Sequence, residues 1–158
     1  MKKLFVLLVL SSALLGIGKT TYAQQQSEKP VCIGHELDGS LTIRSWGEGR
    51  NRADAKEQAK KNAIYEVLFN GVTAGNDGYD MRPIVPEVNA RQRYREYFDI
   101  FFMDGGAYKT YVSIADRRWG STKKAKGYTR NQVKYCMTVR VMVPALRQRM
   151  IDDGILKN

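Results

Sequence analysis

The sequence predicts an α+β domain, a mainly antiparallel sheet with helices packed on one face, in the order β-α-α-β-β-α. Three observations predict it. Residues 52–70 place Ala55, Ala59 and Ala63 four apart, and Ile64, Val67 and Leu68 continue the same stripe, as one helix face would. Residues 133–143 alternate with period two: Val133, Tyr135, Met137, Val139, Val141 and Val143 on one side, Lys134, Thr138 and Arg140 on the other. Residues 108–114 alternate in the same way, so the two late segments form an antiparallel hairpin.

Each element has a local cause. The Asp38-Gly39 turn signal precedes a strand over Leu41–Trp46, which alternates Leu41 and Ile43 with Thr42 and Arg44. Gly47-Glu48-Gly49 ends that strand as a tight turn. Asn51 caps the helix over 52–70 through its side-chain oxygen, and Asp54 faces the positive end of the helix dipole. Gly71 ends the helix. Val72–Pro86, with Gly75, Asn76, Asp77, Gly78, Pro83 and Pro86, is a long connection. A second helix spans 87–103, carries Tyr94, Tyr97, Phe98, Phe101 and Phe102, and is closed by Asp104-Gly105-Gly106. Pro144 sits at the start of a terminal helix holding Leu146, Met150 and Ile151, which Gly154 closes.

Residues 1–23 have the order of a secretory signal peptide: Lys2 and Lys3, a mostly apolar run over Leu4–Leu15, then Thr21-Tyr22-Ala23 with small residues for cleavage. The run is shorter than the ~20 residues of a membrane span. Gln24 follows the cleavage position, so no lipid-anchoring cysteine is expected there. Residues 24–158 are therefore expected to be one exported domain with a flexible lead-in over 24–30 and no transmembrane segment. The expected location is periplasmic, including outer-membrane association, or extracellular.

The chain carries 26 Lys and Arg against 16 Asp and Glu, a net charge of +10 that becomes +7 once Lys2, Lys3 and Lys19 leave with the leader. Outside the cytoplasm this balance points to acidic envelope partners, such as anionic lipid or polysaccharide, before nucleic acid. It is equally a solubility feature. Export permits a disulfide between the only two cysteines, Cys32 and Cys136. Each is out of phase with its apolar neighbours, so both are expected to leave the core face. They then either meet on the far side of the sheet or remain two separate thiols.

Catalytic and metal-binding patterns are weak. Gly47-x-Gly49 lacks the third glycine of a dinucleotide fingerprint, since Arg52 stands there, and no Walker lysine follows. His35 is the only histidine, and Cys32, His35, Glu36 and Asp38 lack the second ligand pair a structural zinc site needs. Asp152 and Asp153 point in different directions, and Asp77, Asp80 and Glu87 fit solvated turn carboxylates. No nucleophile–base pair emerges, so no enzyme, cofactor or metal is expected. The spacing of the aromatic row 94–102 is that of a buried helix face.

The basic connection between the late strands is the strongest binding candidate. Arg117, Arg118, Lys123, Lys124, Lys126 and Arg130 are six cations within fourteen residues, with Trp119 and Tyr128 interleaved. Such a segment is either a solvated turn or a grip on an acidic surface. Trp46, out of phase with Leu41 and Ile43, joins it as a contact residue.

Trp46-Gly47-Glu48-Gly49 followed by Ala55, Ala59 and Ala63 resembles the opening of the LPP20-like and flagellar FlgT N-terminal-like domains. Val139, Val141 and Val143 resemble their closing strand, and the whole chain resembles small exported proteins of Bacteroidetes-type bacteria. The long 72–86 connection and the missing lipoprotein cysteine depart from that pattern. The resemblance implies an envelope assembly or scaffold protein with no catalytic residues to carry over. The expectation is thus a non-enzymatic binding or scaffold subunit of an outer-membrane or cell-surface assembly, acting through Arg117, Arg118, Trp119, Lys123, Lys124 and Lys126. The alternative is a small binding module for an anionic glycan or lipid headgroup, using the same segment and Trp46.

Overall fold

The computed structural model describes residues 29–72, 80–115, 123–124 and 133–157. The architecture is α+β, as the sequence predicts. Strands β1 (Val31–His35), β2 (Leu41–Gly49), β3 (Val112–Ile114), β4 (Lys123–Lys124) and β5 (Val133–Val141) form one sheet. Its order is β1-β2-β5-β3, with β4 also on β5, and each pairing is antiparallel. β2 and β5 make its centre, in register from Leu41 opposite Val141 to Gly49 opposite Val133.

Helix α1 (Arg52–Tyr65) begins at Asn51, whose side-chain oxygen accepts from the Ala53 and Asp54 amides at 2.8 and 3.0 Å. Its Ala55, Ala59 and Ala63 are fully buried. The inner face of β2 tapers along its length: Leu41, Ile43, Ser45, Gly47, Gly49. The small end meets the helix start. A Cβ on Gly47 would lie 2.1 Å from the Ala55 carbonyl oxygen, and one on Gly49 would lie 2.5 Å from the Asp54 Cβ. Gly47-Glu48-Gly49 is therefore strand and not the turn that the sequence suggests. The glycines answer a need for space under α1, and neither has a positive φ.

α1 widens at its end into a π turn over Glu66–Asn70, closed by the Gly71 amide donating to the Glu66 carbonyl at 2.8 Å. Looser winding frees carbonyls that an α-helix would use. Those of Val67 and Leu68 accept from the Ile84 and Val85 amides at 3.1 and 2.8 Å, which clips the 84–85 backbone onto the helix end. Gly71 has φ 76°, a left-handed conformation that favours glycine, and Val72 bridges to Met81 just beyond it. Of the predicted long connection, residues 73–79 lie outside the described residues.

The predicted 87–103 helix is two short ones, α2 (Ala90–Arg93) and α3 (Arg95–Phe101), broken at Tyr94 where ψ rises to 36°. Its aromatic row is core, as the spacing predicts: Phe98 and Phe101 are buried, while Tyr94, Tyr97 and Phe102 pack against the same cluster. The predicted strand over 108–114 is strand only from Val112; residues 107–111 form a 3-10 turn. Tyr108 causes the difference. Its fully buried ring stacks on Phe102, and its hydroxyl donates to Glu57 at 2.8 Å, which a strand conformation would prevent. Helix α4 (Val143–Asp152) starts one residue early, taking Val143 out of the strand alternation, with Pro144 in its first turn as expected. β1 adds an edge strand that the predicted order lacks. One cluster joins β1, β2, β5 and all four helices, and the terminal Ile155 closes it.

The Gly47 contact is directly testable. Gly47→Ala forces a methyl into helix backbone and is expected to destabilise the fold by about 3 kcal/mol in urea unfolding. Gly34→Ala serves as control, because its Cβ would meet only Thr42 at 3.5 Å, an ordinary contact.

Candidate functional site

Arg117, Arg118, Trp119 and Lys126 lie outside the described residues. Lys123 and Lys124 have a backbone position: β4 stands opposite Cys136 and Tyr135 on β5. Cys136 in turn stands opposite Trp46 on β2. The register therefore sets Lys123, Cys136 and Trp46 in one row across the sheet. β3 and β4 share one edge of β5. From Ile114 to Lys123 the chain advances nine residues while β5 advances three, from Val139 to Cys136.

Trp46 is half-buried on the face turned away from α1. The Lys134 ammonium lies 5.6 Å from its ring centroid and 3.3 Å from the Glu48 carboxylate. Lys134 is 3% exposed, and burial pushes its pKa down. The Trp46 carbonyl accepts from the Asn62 side chain at 2.8 Å, tying α1 to the edge of β2 beyond β1. A small cleft of about 230 Å³ lies here, between Trp46 and Lys134 and the α1 residues Gln58 and Asn62.

The cysteines do not meet. Cys32 stands opposite Ile43, which stands opposite Val139, so Cys32 belongs to the helix-covered face and joins the core. Cys136, opposite Trp46, belongs to the other face. They are also two strands apart, roughly 10 Å across the sheet, and offset by three residues along it, roughly 10 Å again, beyond the ~7 Å Cα limit for a disulfide. Both are buried thiols, and the Cys32 thiol donates to the Gly34 carbonyl at 3.4 Å. The expectation that both leave the core face fails at Cys32. β1 is an edge strand with a bulge between Cys32 and Gly34, and its flanking Val31 and Ile33 are only half-buried.

The acidic candidates are distributed. Asp80 is exposed, and Asp77 lies outside the described residues. Asp152 accepts from Gln148, while Asp153 accepts from the Tyr97 hydroxyl and the Arg149 guanidinium, all within 2.8 Å. Burial works to raise the Asp153 carboxyl, but those two hydrogen bonds outweigh it and hold the group below its ordinary value. Burial, reinforced by the bond to Asp153, raises the Tyr97 hydroxyl. Glu57 behaves like Asp153: burial opposes ionisation, and bonds from Lys60 and Tyr108 prevail. These groups fasten α3 and the 3-10 turn to their neighbours. Among the described residues, no group of three or more His, Cys, Asp or Glu could hold a metal ion.

Glu87 leads to a site that the sequence did not reveal. It pairs with Arg93 at 2.6 Å on the rim of a cleft of about 770 Å³. The cleft is assembled from residues 82–87, the α2–α3 junction at Arg93 and Tyr94, Arg147 on α4, and residues 155–157 in the turn after α4. Each is held by backbone bonds. Ile84 and Val85 are clipped to the π turn, and the Ile155 and Leu156 amides both donate to the Met150 carbonyl at 2.9 Å. Three cations, Arg82, Arg147 and Lys157, line the cleft from residues 82–87, α4 and the turn after it. Among the described residues none of the three forms an ion pair. Beneath them lie Ile84, Val85 and Ile155, all buried, with Tyr94, Leu156 and Pro83 half-buried on the walls. The site escapes sequence reasoning because its three cations come from separate parts of the chain and form no local run. The one local signal is the apolar Ile84-Val85 pair between Pro83 and Pro86.

Comparison of the chain with protein-family models, curated proteins and solved structures gives no match.

Two outcomes follow from this geometry. Alkylation of unfolded, unreduced protein is expected to label both Cys32 and Cys136; labelling of neither would contradict the sheet register. The Asp153 contribution to stability is complete above its unfolded value of 3.8 and is lost as pH falls from there through the lower folded value. Asp153→Asn should therefore be less stable at neutral pH, by about 2 kcal/mol for bonds to a charged group. The gap to the parent chain should narrow below pH 3.8.

Proposed function

We propose that this protein is an exported, non-enzymatic binding subunit of a cell-envelope assembly that engages an acidic component. The observation that carries the reading is the cleft where Arg82, Arg147 and Lys157 converge without anionic partners. Elsewhere on the described surface cations are largely matched, as in Arg91 with Asp99, Lys61 with Asp104 and Arg140 with Glu36. Unmatched positive charge gathered in a concavity raises the local concentration of anions and speeds their capture. Export rests on the leader-like residues 1–23, and the cations of segment 117–126 add to the positive charge that an acidic partner would meet.

The alternative, a module for an anionic glycan or lipid headgroup, draws on one specific feature. The same cleft joins its cations to apolar walls, which a purely protein-facing electrostatic patch does not require.

The test is cross-linking in intact expressing cells, with fractionation of the envelope and mass spectrometry of the adducts. The tagged protein is expected in the envelope fraction, joined to a reproducible envelope component. Arg82→Ser/Arg147→Ser/Lys157→Ser should reduce that adduct several-fold. Retention of the protein in the cytoplasm, or adducts unchanged in the variant, would sink the reading.

A further inference from the structure

The three cations of the large cleft constrain the ligand further. Placed together, Arg82, Arg147 and Lys157 repel one another, and no carboxylate of the described chain relieves them, since Glu87 is engaged by Arg93. A ligand carrying one localised negative charge can sit among them, and a dianion such as a phosphate monoester would be favoured by all three. Arginine adds a planar pair of donors suited to phosphate oxygens.

A bare anion would satisfy only the rim. It would leave the half-buried faces of Tyr94, Leu156 and Pro83 wet, whereas a neutral hydrocarbon would cover those faces and leave the cations unanswered. The cleft has room for a ligand with both parts, since about 770 Å³ falls within the usual range for small-molecule sites. Its frame is set by backbone hydrogen bonds on two sides, the 84–85 clip and the turn closing on Met150, so the walls are ordered before a ligand arrives.

We infer that this cleft binds an anionic amphiphile, a phosphate monoester joined to a short apolar body, with Arg82, Arg147 and Lys157 on the phosphate and Tyr94 and Leu156 along the apolar part. The inference rests on the envelope-binding reading and names the ligand class of its cleft. That chemistry is shared by membrane lysophosphatidate and by a free alkyl phosphate monoester.

The test is calorimetric titration of the purified chain with three probes kept below their micelle concentrations. These are octanoylglycerol phosphate, octanoylglycerophosphocholine and inorganic phosphate. The first is expected to bind at least about tenfold more tightly than either of the others, and to weaken as salt rises. Arg82→Ser/Arg147→Ser/Lys157→Ser should abolish this preference while leaving the urea midpoint unchanged, because all three side chains are exposed. Leu156→Gln should weaken the octanoyl ester alone. Equal binding of the phosphocholine probe, equal binding of inorganic phosphate, or full binding by the triple variant would each overturn the inference. Vesicles containing lysophosphatidate then separate the sources. Recruitment to them indicates a membrane ligand, and binding of the monomeric ester without recruitment indicates a free one; both outcomes uphold the cleft chemistry. Absence of any envelope adduct with the parent protein overturns the broader reading, whereas an envelope adduct with no ester binding overturns only the ligand class.

Discussion

Helix α1 lies so close on β2 that there is no room for a side chain between them at Gly47 and Gly49, and the other contacts are arranged around that approach. The strand face enlarges from Gly49 through Ser45 to Leu41, while the helix face enlarges from Ala55 through Ala63 to Val67 and Leu68. Small ends meet first because the chain turns back at Arg50 and Asn51. The large ends then diverge, and the space opened between them is filled by the core. A methyl group added at the narrow end would move the whole helix, since the atoms it meets are backbone and cannot rotate away. A methyl at the wide end would meet side chains able to adjust.

At its far end α1 changes its winding. Winding loosens into the π turn, and two carbonyls turn outward to accept the 84–85 amides. A segment with no regular structure thereby obtains fixed hydrogen bonds, as buried backbone requires. The same clip forms one wall of the large cleft. The opposite wall depends on the turn after α4, where two successive amides share the Met150 carbonyl. The end of α1 and the turn after α4 thus hold the backbone that carries Arg82 and Lys157.

Much of this fold was legible in the chain. The alanine stripe, the Asn51 cap, the long β5 alternation and the Pro144 start each follow from a local rule that the structure obeys. The Gly47-Glu48-Gly49 stretch was misread because glycine has two uses, and sequence cannot distinguish a need for positive φ from a need for space. The stretch from Trp46 to Ala63 has the same cause. Glycine on a strand beneath alanine on a helix is what close approach demands, so it reports packing more directly than activity. Tyr108 was misread for a different reason. Its hydroxyl partner, Glu57, is fifty-one residues away, and no local period announces it. The large cleft was illegible on the same ground, because its residues come from stretches separated by most of the domain.

The distribution of charge gives the cleft its meaning. A chain with ten more cations than anions must leave some unpaired, and isolated exposed ones are of little consequence in water. Arg82, Arg147 and Lys157 differ in position. They gather over a concave apolar surface, where nearby low-dielectric walls strengthen their repulsion and also their attraction for an incoming anion. A carboxylate in place of any one of them would ease the repulsion. Glu87 is near enough to the rim to do so, yet it is bound to Arg93 at 2.6 Å. Among the described residues of the cleft, the one carboxylate is thus engaged by a fourth cation, leaving the other three for a ligand.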